Sequence, residues 1–161
     1  MAEEMKQISG KSMGQLVNAV QEKGLNEGFG AMEELREIGM PAVAPLVELL
    51  ISGNQNIRWR SAMALARVGE YSVEPLIEAA GTRDVSIKNP AIWALAEIKS
   101  PNAVQPLINI MQEEESECCR ILTAAALLKI DDPEGIAAVN REFERSGEEF
   151  RGRVDEAFSG S

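Results

Sequence analysis

Residues 84–108 read DVSIKNPAIWALAEIKSPNAVQPLI. Within them Ile87, Ala91, Ala94, Leu95 and Ile98 fall on one face of a 3.6-residue helix. Lys99-Ser100-Pro101 breaks that stripe, and Val104, Leu107, Ile108 and Met111 begin a second one. The same succession returns along the chain. Working back, Ile57, Ser61, Ala64, Leu65 and Val68 match the first stripe, and Val73, Leu76, Ile77 and Ala80 match the second. Val43, Leu46, Val47 and Leu50 supply an earlier copy of the second stripe, and Leu16-Val17 with Leu35 and Ile38 a copy before that. Working forward, Leu127 and Ile130 are followed by a degenerate copy through Ile136, Val139, Arg151 and Phe158. A proline opens three of the apolar runs, at Pro45, Pro75 and Pro106, and a basic residue follows each, at Arg58, Lys88 and Arg120.

The spacing predicts five copies of a helix pair, over residues 11–39, 40–69, 70–99, 100–131 and 132–159, in a single domain spanning 1–161. No pair can hide its own apolar face, so such copies must stack. Strand signals are nearly absent, with aromatics at 4% of the chain. The predicted fold class is an all-α, α-α superhelix.

The pattern D-V-x-x-K-x-x-A-x-x-A-L-x-x-I followed by P-x-A-V-x-P-L-I resembles the HEAT-like repeat, in the short form of phycobilin lyase subunits. The resemblance covers about residues 11–145 and is densest over Ile57–Ile77 and Asp84–Met111. It implies an α-solenoid used to bind proteins. It also implies that an aspartate before the second helix pairs with a basic residue of a neighbouring repeat. Asp84 keeps that position, whereas Asn54 and Ser116 depart from it.

Composition narrows the function. Twenty-six acidic residues against 16 basic ones give a net charge of −10. Phosphate backbones need concentrated Lys and Arg, so nucleic acid is not expected as a partner. No apolar run reaches the roughly 20 residues that span a bilayer, and MAEEMKQISGK lacks the apolar core of a signal peptide. A cytoplasmic protein is expected, with its cysteines reduced. Cys118 and Cys119 are neighbours whose side chains diverge by about 100° on a helix, so Cys119 is expected in the core and Cys118 at the rim.

Catalysis finds little support. There is no histidine, which removes the commonest general base and metal ligand. It also separates the chain from the di-iron HEAT-repeat hydroxylases, whose metal rests on His-Glu pairs. No cofactor or metal is expected. The row Arg58, Lys88 and Arg120 is expected to form structural ion pairs between repeats.

The candidate binding face lies on the second helices, on the positions between the buried ones: Trp59, Met63 and Arg67; Asn89, Trp93 and Glu97; Ile121, Ala125 and Lys129. Each trio is spaced by four and forms one ridge. In the resembled family this ridge faces the concave side. Trp and Met are typical interface anchors, while tryptophan also fills gaps inside cores. The expected function is a non-catalytic adaptor that holds a protein partner, as a monomer or weak homo-oligomer. The alternatives are an accessory subunit of a lyase-like, protein-modifying complex and a structural oligomerising module.

Local expectations complete the reading. Residues 1–10 should fray and Ser159–Ser161 be disordered. Ser12 and Asp84 should cap helices, and the glycine-rich stretch 23–30 should form a turn and a weakened helix start. Pro45, Pro75 and Pro106 should kink their helices one turn in, and Pro90 should delay or kink its helix.

Overall fold

The computed structural model describes residues 11–22 and 25–160. Among them lie ten α-helices and no strand: α1 (Met13–Glu22), α2 (Leu25–Ile38), α3 (Val43–Ser52), α4 (Gln55–Val68), α5 (Val73–Ala80), α6 (Val85–Ile98), α7 (Val104–Glu113), α8 (Glu117–Ile130), α9 (Pro133–Ser146) and α10 (Glu148–Ser159). The chain is an all-α solenoid. Its contacts divide it into two compact units, residues 1–75 and 76–161.

In the first unit α1 packs on α2, α3 on α4, and α2 on α4. Leu16, Val20, Leu35, Leu46, Leu50 and Leu65 are fully buried there. In the second unit α8 is central: α6, α7, α9 and α10 all pack on it. Its core holds Ile92, Leu95, Leu107, Met111 and Leu127. Small residues let the helices close up. Ser61, Ala91 and Thr123 occupy corresponding sites on α4, α6 and α8, and none is accessible. The Ser61 and Thr123 hydroxyls are satisfied by donating to the Ile57 and Cys119 carbonyls at 2.8 and 2.6 Å.

The helix starts are written locally. Ser12 and Gln15 form a reciprocal capping box: the Gln15 amide donates to Ser12 Oγ at 3.3 Å and the Ser12 amide to Gln15 Oε1 at 2.9 Å. Asn54 Oδ1 accepts from the Ile57 amide at 3.0 Å, and Asp84 Oδ1 from the Ser86 amide at 3.0 Å.

Several local expectations are corrected. A 3-10 turn precedes α3, α5 and α7, at Met40–Ala42, Glu70–Ser72 and Pro101–Ala103. Pro45, Pro75 and Pro106 are therefore the third residues of their α-helices, not interior breaks. There the missing N–H is one that an α-helix leaves without an intrahelical partner. Pro90 does not delay its helix: Asp84 caps α6, which starts at Val85 and runs through the buried proline. What Pro90 removes is one donor to the Ser86 carbonyl. The glycine-rich stretch is not a turn from Leu25 onward, because Gly28 and Gly30 lie inside α2; Lys23 and Gly24 lie outside the described residues. Ser159 ends α10, its hydroxyl donating to the Asp155 carbonyl at 2.8 Å. The expectations for residues 1–10 and for Ser161 lie outside the described residues.

The turns that follow the second helices are of two kinds. After α2 and α4 a single glycine turns the chain, Gly39 at φ 75° and Gly69 at φ 86°. After α6 and α8 two residues do it: Lys99 and Asp131 take the left-handed conformation, then Ser100 and Asp132 cap the next element. The extra residue lengthens the repeat beyond its thirty-residue beat.

Candidate functional site

In the first unit Trp59, Met63 and Arg67 lie along α4, each half-buried. Arg67 is committed within the unit: its guanidinium lies 4.9 Å over the Phe29 ring and pairs with Glu33 of α2. Hydrogen bonds from Arg36, and then from Arg67, hold the Glu33 carboxyl below its ordinary range. Sequence reading did not pick out Phe29 or Glu33. A step of thirty residues back from Trp59 and Met63 lands on them.

In the second unit Asn89 and Trp93 of α6 are half-buried and Glu97 is exposed. Ile121 and Lys129 of α8 are half-buried, and Ala125 between them is buried. Two of these positions meet: the Lys129 ammonium pairs with the Glu97 carboxylate across the seam between α6 and α8. Asn89 turns inward instead, its Oδ1 lying 3.7 Å from the buried Cys119 thiol, which donates to it. Cys118 is exposed.

Trp93 borders a narrow cleft of about 40 Å3. Ala96 from the same helix, Leu122, Ala125, Ala126 and Lys129 from α8, and Ala157 from α10 complete its lining. Ala96, Leu122, Ala126 and Ala157 were not foreseen as part of it. The step of thirty-two residues from Trp93 to Ala125 would have found Ala157 if repeated once. The same step carries Glu117 to Glu149 and Ile121 to Arg153, so α10 continues the ridge. Arg153 ties α10 to α8 through Glu117 at 3.0 Å and to Glu149 at 2.8 Å.

The row of basic residues on the other part of these helices is structural. Lys88 pairs with Glu114 at the end of α7, both mostly buried at 13% and 14% exposure. Arg120 lies 3.7 Å from Glu142 of α9, a carboxylate only 5% exposed, and 5.4 Å over the Phe150 ring. Arg145 and the Ser146 hydroxyl also donate to Glu142, at 3.2 and 2.9 Å. Arg58 donates to the Ile51 carbonyl of its own repeat at 3.1 Å.

Among the described residues no group of three or more His, Cys, Asp or Glu side chains is placed to hold a metal ion. No described helix is long and apolar enough to cross a membrane. The arrangement offers an apolar cleft beside the Lys129–Glu97 pair.

Among solved structures, the chain is similar to the designed armadillo repeat protein YIII(Dq.V1)4CPAF in complex with peptide (KR)4. The identity is 16% and the TM-score 0.48, over 98% of this chain and 91% of that one. No curated protein matches. A family profile described as HEAT repeats matches residues 43–128, from the start of α3 to near the end of α8. That match takes in more than half of the chain, and the protein belongs to the HEAT repeat family.

Proposed function

We propose that this protein is a non-catalytic adaptor that holds a protein partner on the exposed sides of its second helices. The residues are Trp59, Met63 and Arg67 of α4 in one unit, and Asn89, Trp93, Glu97, Ile121 and Lys129 of α6 and α8 in the other. The observation that carries the reading is Trp93, a half-buried indole beside an alanine-lined cleft. An aromatic anchor next to an apolar recess, with an ion pair at its rim, is the anatomy of an interface centre. The charged residues nearest to it are engaged with one another, which suits a binding surface better than acid–base chemistry. The quoted repeat pattern supports a further reading, that the copies are of the short phycobilin-lyase type.

The test is affinity capture from an extract of the native source. Intact protein is compared with Trp59→Ala, Trp93→Ala and a first-helix control, Gln105→Ala. A retained species that is lost with either tryptophan, at unchanged helix content and Tm, supports the assignment. Equal capture by all four proteins overturns it. So does unfolding of both tryptophan variants, because the indoles would then be core residues.

A further inference from the structure

The ridge positions of α4, α6 and α8 carry Met63, Trp93 and Ala125 at their middle. Where two ridges present a bulky apolar side chain, the third presents a methyl group, and the cleft opens there. Ala157 repeats the small residue on α10. Four alanines, Leu122 and the Trp93 indole make the lining mainly apolar, and the Lys129 ammonium at its edge is already held by Glu97. Such a lining favours an apolar side chain over water.

Charge gives the surroundings a sign. At one rim Glu97 and Lys129 cancel. One turn before Ala157 along α10, the single Arg153 guanidinium faces two carboxylates, Glu117 and Glu149. Glu156, next to Ala157, is exposed and adds another. This local surplus has the sign of the whole chain, −10. A field of that sign steers cations to the rim.

We propose that the cleft between Trp93 and Ala157 seats one apolar side chain of a protein segment that carries basic residues beside it. The proposal rests on the reading of the second helices as the partner-binding face, and names the chemistry of what that face takes. Ala125 and Ala157 are its specificity determinants: they leave the room, and Trp93 supplies the wall.

The experiment is a selection of random-sequence peptides on the intact protein, with the enriched peptides remeasured on three variants. Ala157→Leu fills the cleft from a half-buried position. Glu156→Lys changes the rim charge, and Trp93→Ala removes the wall. The expected peptides pair an apolar residue with adjacent Lys or Arg. Their affinity should fall about tenfold or more in Ala157→Leu at unchanged helix content, and should weaken in Glu156→Lys and with rising salt. Enrichment of acidic or wholly polar sequences overturns the proposal, as does no enrichment, or equal binding by Ala157→Leu. The broader reading fails separately. If Trp93→Ala loses a peptide that Ala157→Leu retains, the second-helix face stands and the cleft does not.

Discussion

Lys88 of α6 closes an ion pair with Glu114, the residue that caps the end of α7. The hydrogen bond from Lys88, followed by the Ser116 amide at 3.0 Å, holds the Glu114 carboxyl below its ordinary range. Glu114 thus fixes the α7–α8 turn from both sides, joining it to the helix of the preceding repeat.

A folded-state pKa lower than the unfolded one means stability that is present above the unfolded value and lost as pH falls through the folded value. The Glu114 contribution should accordingly be complete at neutral pH and should fade as pH drops below about 4.5, its unperturbed value. Lys88→Met is expected to cost about 2 kcal/mol at pH 7, the scale of a charge-assisted hydrogen bond in a mostly buried site. The gap between variant and parent should narrow at pH 3. Urea melts at the two pH values check this, and a gap that does not change with pH would contradict it.

Ser72 is fully buried at the third position of its 3-10 turn, and among the described residues its hydroxyl has no hydrogen-bond partner. Ala42 and Ala103 hold the matching positions of the other two turns, equally buried. A buried hydroxyl without a partner costs roughly 1 kcal/mol or more. Ser72→Ala should therefore raise stability by about that amount, read as a higher urea midpoint at unchanged m-value.

Lys99 at φ 57° and Asp131 at φ 63° adopt the left-handed conformation that glycine takes without steric cost. Lys99→Gly should stabilise by about 1 kcal/mol. Gly69→Ala should do the opposite and more strongly. Gly69 sits at φ 86°, ψ −135°, outside even the left-handed helical region. Differential scanning calorimetry of the two single variants would show opposite shifts in Tm.

Gly53 is required for space. A Cβ there would stand 2.5 Å from Ile57 Cγ2 and 2.6 Å from the Leu49 carbonyl oxygen. Gly53→Ala should lower stability by about 2 kcal/mol through the forced shift of α3 against α4. Gly30 and Gly152 lie inside helices with nothing within 4 Å of the corresponding Cβ. Alanine at either should raise stability by about 1 kcal/mol, the propensity difference between the two residues. Thermal melts by circular dichroism separate the three cases by sign.

Which segments are helices, and which stripe of each is buried, could be read from the residues alone, because both follow from spacing within one turn of chain. Leu46, Leu65, Leu76, Leu95 and Leu107, read off as one face, are all fully buried. Caps such as Ser12 and Asp84 were legible for the same reason: the cap and the amide it receives lie within three residues. Pro90 was misread because its cost is local while its compensation is tertiary: it is buried in a helix that packs on α8. Packing between helices set the rest: Lys88 meets Glu114, Asn89 turns toward Cys119, and half-buried Trp93 shares a cleft with Ala157. Those outcomes depend on side-chain rotamers and on the offset between stacked helices, and neither is contained in the period of a single helix.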